Sequence, residues 1–326
     1  MNHLHNLIVG SYVSSISLRR WEEDDETAFY QELRKRPSVR GIEHGFYGTL
    51  HRYDDDWFLK NIDPEWDFVF ITLPGWVDVM KNDDPVAGLA ATDNDKRLRA
   101  VEYIQSANLA VKKLNAFLKR ESVIAVQVHS TPSGAASKEA FAESLNMICS
   151  WDWEGAKIVV EHCDAFKPDG SHAKGYLPLP DEIWAIQEVR EANPKSPPSM
   201  MLNWGRSTIE GYRPDIVQEH IRQLMAVDQL SGFIFSGVTA SEDSLYGNFA
   251  DKHTPCPTPC GDTLLAANSL MTEKEIAKTI EALPVSDLDY LGFKIMPLPL
   301  AQNSCDNFVY IDKMINVINA ELQRSA

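Results

Sequence analysis

Two stretches decide the fold: Val123-Ile124-Ala125-Val126-Gln127-Val128-His129 and Lys157-Ile158-Val159-Val160-Glu161-His162-Cys163. Each is a short β-branched run that turns polar only at its carboxyl end. Strands this apolar are buried on both faces, which is the habit of a parallel sheet with helices outside. Alternation along a strand puts Val126 and Val128 on one side and Gln127 and His129 on the other. The same rule puts Glu161 and Cys163 on one side of the second stretch and His162 on the opposite side.

Six further runs resemble them, at 7–13, 39–44, 67–73, 199–203, 232–238 and 290–296. Helical patterns follow at 25–35, 95–119, 137–149, 181–192, 214–228, 273–282 and 305–323. Residues 95–119 carry Leu98, Val101, Ile104, Val111, Leu114 and Phe117 at three- and four-residue steps, the period of one helix face. Thr272 followed by Glu273 and Glu275 marks a helix start, since Thr caps free N–H groups and acids suit the dipole. The weakest unit is the second, where 51–61 holds Asp54-Asp55-Asp56 and reads as a poor helix.

Eight β-then-α units predict one (β/α)8 barrel over residues 1–326. An open doubly wound sheet would carry a glycine-rich first turn, and the first strand runs Val9-Gly10-Ser11-Tyr12 instead. Connections after strands 3, 5 and 7 are long, at 74–92, 164–180 and 239–271. In a barrel those loops build the site at the carboxyl rim. The last of them, with Gly237, Gly247 and Gly261 as hinges, is expected to act as a lid.

The 31 basic and 47 acidic residues leave a net charge of −16, which repels phosphate backbones and excludes nucleic acid as a partner. Five cysteines in a long chain argue against a disulfide framework. The amino-terminal residues carry no basic leader, and no apolar run is long enough for a membrane span. A cytoplasmic protein follows as the expectation, and a homo-oligomer remains open.

Polar residues at the ends of otherwise apolar strands need a reason. Alternation predicts that one cavity collects Glu43, Gln127, His129, Glu161, Asn203, Ser236 and Lys294. A buried Glu or Lys is costly unless paired, so Glu161 and Lys294 are expected to pair across the barrel. Trp76, Trp204 and Tyr246 are candidates to stack on a sugar face, with simple packing the alternative. His253, Cys256 and Cys260 offer three zinc ligand types in one loop, against an ordinary reading as unligated thiols.

Gly41-Ile42-Glu43, Val128-His129 and Val159-Val160-Glu161 resemble the strand ends of the xylose isomerase-like TIM barrels, which include sugar isomerases, sugar epimerases and endonuclease IV-type enzymes. The chain also looks like an uncharacterised bacterial family of about this length. In the epimerase branch the resemblance implies a divalent metal held by a Glu on strand five, an Asp on strand six, a His on strand seven and a Glu on strand eight. Only the first maps, onto Glu161; Asn203, Ser236 and Lys294 stand at the others. A lysine repels a cation, so a divalent metal is disfavoured and no cofactor is expected.

The expected function is isomerase- or epimerase-like, on a small polar, carbohydrate-like molecule at the carboxyl rim. Glu161 is the expected base, His129 its partner and Lys294 the electrostatic stabiliser. Two alternatives stand beside it: a non-catalytic sugar-binding barrel, and a Schiff-base lyase using Lys294.

Overall fold

The computed structural model describes residues 6–17, 19–299 and 301–325; the amino-terminal residues 1–5 lie outside them. The barrel strands are Leu7–Gly10 (β1), Val39–Gly45 (β2), Asp67–Ile71 (β3), Val123–Val128 (β4), Lys157–Glu161 (β5), Ser199–Asn203 (β6) and Leu230–Phe235 (β7). Two short strands, Thr258–Cys260 (β8) and Thr263–Leu265 (β9), form an antiparallel hairpin, and Tyr290–Phe293 (β10) is the last barrel strand. The order β1-β10-β7-β6-β5-β4-β3-β2 closes on itself.

The helices are Ser11–Ser14 (α1), Glu23–Arg34 (α2), Asp55–Asn61 (α3), Leu73–Asn82 (α4), Asn94–Leu118 (α5), Lys138–Cys149 (α6), Leu179–Arg190 (α7), Trp204–Gly211 (α8), Ile216–Ala226 (α9), Glu273–Ala282 (α10) and Phe308–Ser325 (α11). Helices thus alternate with the strands, as a (β/α)8 barrel requires. Contacts gather in two compact units. One comprises Met1–Glu43, Leu202–Val227 and Gly232–Ala326; the other comprises His44–Met201 and Asp228–Ser231.

In the unit that holds β3, β4 and β5, parallel pairing sets Ile71 beside Gln127 and Val128 beside Val160. Phe68, Phe70, Val126 and Val159 are fully buried there. The short connection into β4 is fixed by one side chain: Asn115 Oδ1 accepts from Ser122 N at 2.8 Å and from Val123 N at 3.3 Å. The aspartates that argued against a helix at 51–61 in fact start one. Asp54 Oδ1 accepts from the backbone N–H of Asp56 and Trp57, both at 2.9 Å, and Asp55 and Asp56 lie in the first turn. Acids there favour a helix N-terminus, and Trp57, Phe58 and Leu59 bury its inner face.

The expected long loop at 74–92 is corrected by α4, which occupies its first half. Pro74 and Gly75 look like breakers, but proline is tolerated in the first turn. Gly75 is required by close approach: a Cβ there would lie 2.5 Å from the Phe46 carbonyl oxygen.

In the other unit, β1 pairs with β10 and with β2, and β10 with β7. Phe233, Phe235 and Phe293 are fully buried, as are Ile311, Met314 and Ile318 on α11. Thr272 caps α10 by accepting from Glu275 N. The run read as a strand over 7–13 ends at Gly10, where α1 begins.

The segment 239–271 is bound back onto the end of β7. Gly237 and Thr254 exchange backbone hydrogen bonds at 3.0 and 2.8 Å, and Leu270 N donates to Val238 O at 2.9 Å. Tyr246 is 5% exposed and Cys256 is fully buried. Deleting Tyr246–Cys260 would therefore remove buried packing as well as loop.

Candidate active site

His129 is the first residue after β4, and Glu161 is the last of β5. Because Val128 pairs with Val160, the next step in register sets His129 beside Glu161. His129 Nε2 lies 2.6 Å from Glu161 Oε2, and the two residues are 3% and 0% exposed. A carboxylate and an imidazole this close hold one proton between them, and either can take it or give it up.

The ends of these strands are braced from behind. His162, pointing the other way as alternation requires, sets its Nδ1 2.7 Å from Glu182 Oε2 on α7. Ser130 Oγ donates to Glu182 Oε1 at 2.5 Å and accepts from Leu177 N at 3.2 Å. Asp164 Oδ2 accepts from Ala173 N at 2.7 Å and from Lys174 N at 2.8 Å, folding the loop after β5 back on itself.

His129 also lines a small recess with Thr72, Trp76, Tyr103 and Thr131. Trp76 is 6% exposed, and its Nε1 has no hydrogen-bond partner among the described residues. Tyr103 donates to the Phe46 carbonyl at 2.9 Å, and burial holds its hydroxyl in the neutral form well above the ordinary range. Gln127 is fully buried, and its carbonyl accepts from Thr72 Oγ1 at 2.8 Å.

The remaining candidates lie in the unit containing β1, β7 and β10. Lys294 follows β10, and its Nζ lies 3.3 Å from Glu43 Oε1, with both side chains fully buried. The lysine is thus paired with Glu43, a partner that alternation along the strands did not single out. Lys294 also explains Gly10, whose Cβ, if present, would lie 2.3 Å from Lys294 Cβ.

Asn203 caps α8: its Oδ1 accepts from Gly205 N at 3.0 Å and Arg206 N at 3.4 Å. Ser236 Oγ lies 2.8 Å from His253 Nδ1, and Arg206 Nη1 is paired with Asp251 Oδ2 at 2.6 Å. Trp204 is fully buried, and the Tyr246 hydroxyl accepts from Leu298 N at 2.8 Å. Cys256 is buried, which pushes its thiol up to about 11, whereas Cys260 is exposed on the β8–β9 hairpin. Among the described residues, His253, Cys256 and Cys260 do not bring their ligand atoms together.

These contacts test the four-ligand metal site that the resemblance implies. Asn203 spends its oxygen on a helix cap, the Ser236 hydroxyl meets an imidazole, and Lys294 brings a positive charge that is already paired. The residues present do not fit that site.

Sequence reasoning missed Ser130 and Glu182. Glu182 was detectable in principle, because it stands at three-, four- and seven-residue steps from Ala185, Ile186 and Val189, all buried on one face of α7.

The closed parallel barrel places the chain in the class of (β/α)8 TIM barrels. A putative xylose isomerase from Rhodospirillum rubrum superposes with a TM-score of 0.63 at 10% identity, over 97% of this chain and 98% of that one. The D-psicose 3-epimerase of Clostridium cellulolyticum H10, solved with D-tagatose, gives 0.53 at 14% identity over 98% of each. At these identities the likeness is one of fold. The family is set by sequence: residues 8–308 match the model described as Domain of unknown function (DUF4862), and the chain belongs to that family. It is 30% identical over 298 residues to the uncharacterized protein STM3670 of Salmonella typhimurium, covering 89% of each. No helix among the described residues is long and apolar enough to cross a membrane.

Proposed function

We propose that this chain catalyses an isomerase- or epimerase-like proton transfer on a small, carbohydrate-like hydroxycarbonyl compound, with Glu161 as base and His129 as its acid partner. The observation that carries this reading is the buried 2.6 Å contact between His129 Nε2 and Glu161 Oε2. The Glu161 carboxylate takes a proton from the carbon next to the substrate carbonyl. The electron pair moves onto the carbonyl oxygen, where the imidazolium of His129 stabilises the developing charge or protonates it. Return of a proton to carbon completes the exchange. Trp76, beside His129 in the recess, offers an apolar face and an indole N–H for a hydroxyl group. The fold likeness to the Rhodospirillum rubrum isomerase and the Clostridium cellulolyticum epimerase points the same way.

Lys294 is less suited to a Schiff-base role. A nucleophilic amine must be neutral, and a carboxylate 3.3 Å away favours the ammonium form.

The test is solvent exchange. A panel of ketoses and aldoses is incubated with the protein in heavy water, and deuterium entry next to the carbonyl is read by NMR. Wild-type protein should exchange at least one of them, and Glu161→Gln should lose at least about a hundredfold in rate. Saturable sugar binding without exchange would instead identify a non-catalytic barrel. Borohydride trapping of a substrate on Lys294 would identify the lyase.

A further inference from the structure

We propose that His129, Glu161 and Cys163 form a binding site for a thiophilic divalent cation of zinc or cadmium type, and that a bound cation switches off proton transfer by occupying the base. The switching half rests on the reading above; the binding half stands without it.

The three residues bring one nitrogen, one oxygen and one sulfur to within 4.8 Å of one another. Their placement follows from the chain: Glu161 and Cys163 are two apart at the extended end of β5, and register brings His129 beside them. Cys163 is buried and not in a disulfide. Zinc binds sulfur at about 2.3 Å and imidazole or carboxylate at about 2.0–2.2 Å, so its donors sit roughly 3–4 Å apart in a tetrahedron. The 2.6 Å His129–Glu161 contact must open by less than an ångström or so to admit the ion.

A thiolate with an imidazole and a carboxylate selects zinc, cadmium or cobalt over magnesium, calcium or manganese. The donor set is not the four-position one implied by the resemblance, since only Glu161 is common to both. Neighbouring Asp164 is not one of the clustered donors, and its Oδ2 is held by two backbone N–H groups. The recess beside Trp76 is lined by His129 and so reaches one of the three donors. Three protein donors leave one tetrahedral position for an exogenous ligand. Binding releases the thiol proton and the proton shared by His129 and Glu161, takes the Glu161 oxygen away from His129, and leaves a coordinated carboxylate that no longer abstracts protons.

The experiment is equilibrium dialysis of the chelator-treated, full-length protein against zinc, and separately cobalt with absorption spectroscopy. One equivalent should bind, with a thiolate-to-cobalt charge-transfer band. Cys163→Ser should lose the band and at least tenfold in affinity, whereas the double variant Cys256→Ser/Cys260→Ser keeps both. If Cys163→Ser fails to fold, His129→Asn serves as the second probe and should also weaken binding. An unchanged band in Cys163→Ser, or no bound metal, overturns the proposal. In the exchange assay, zinc should inhibit the wild type, while Cys163→Ser loses the inhibition, each measured against its own metal-free rate. Binding without inhibition overturns the switching half, whereas absence of exchange in metal-free wild type counts against the proposed function and leaves the binding result standing.

Discussion

Of the buried acid–base contacts at the carboxyl ends of strands among the described residues, two make an instructive pair because they are built for different ends. His129 and Glu161 meet at 2.6 Å beside a recess lined by Thr72, Trp76 and Thr131. Lys294 and Glu43 meet at 3.3 Å with no exposed surface on either side chain. The first pair joins groups of which one titrates near neutrality in water, so a proton can move between them. The second joins a strong base to a carboxylate, and removing either partner takes a close counter-charge from the other. Buried charge alone therefore does not mark a catalytic group; access and proton mobility do.

The contrast is broken most directly at Glu161. Glu161→Gln keeps the shape and a hydrogen-bonding oxygen but cannot take up a proton. The expected outcome is a loss of about 10²–10⁴ in exchange rate with a melting temperature close to wild type. A variant that unfolds instead would make the pair structural and erase the difference between the two regions.

Lys294→Met should do the reverse, acting on stability first. It leaves Glu43 buried beside an apolar chain, and breaking a buried pair costs about 3–5 kcal/mol. Urea unfolding measures this. The double variant Glu43→Leu/Lys294→Met should recover most of the loss, since apolar replacements of a buried pair are often neutral or better. A single variant as stable as wild type would show that the pair is not coupled in the way the 3.3 Å contact indicates.

The same pair is probed more gently from β1. A Cβ on Gly10 would lie 2.3 Å from Lys294 Cβ, too close for any real contact. Gly10→Ala must push the lysine stem aside, at about 1–3 kcal/mol for an overpacked site. The expected readout is a lower urea midpoint with an unchanged slope. No loss would mean that β10 shifts freely, and the pair would then be softer than its burial implies.

How far these features were legible in the sequence depended on whether the cause was local or distant. Strand interiors such as Val126-Gln127-Val128 declare themselves by composition, and alternation correctly set Glu161 and His162 on opposite sides. Partners were harder. The Glu43–Lys294 pair was not read from the sequence, because pairing depends on which strands adjoin in the closed sheet, and β1 brings β10 and β2 together around Gly10. Helices α3, α4 and α8 were missed because their signals, Asp54-Asp55-Asp56, Pro74-Gly75 and Asn203, are capping or first-turn residues that also occur in loops. Ser130 and Glu182 escaped because a buried acid on a helix is recognised only when its serine and histidine partners are known.

A last test uses a buried titratable group whose hydrogen-bond partner is a backbone carbonyl rather than a carboxylate. His44 is 4% exposed, with its ring 4.4 Å from that of Phe58, and its Nε2–H donates to Leu50 O at 2.6 Å. Burial, aided by the neighbouring His51, lowers its pKa from 6.5 to about 3. The folded chain therefore keeps His44 neutral over a range in which the unfolded chain protonates it. Between pH 6.5 and about 3 the unfolded state binds the extra proton, so this contribution to stability is complete above 6.5 and is lost as pH falls through that window. The slope is about 1.4 kcal/mol per pH unit. His44→Phe keeps the aromatic packing and removes the titration. Urea midpoints compared at two pH values inside the window should fall more steeply for wild type than for His44→Phe, by that amount per unit. Parallel lines would mean that His44 takes up its proton in the folded state, as a histidine paired with a carboxylate would.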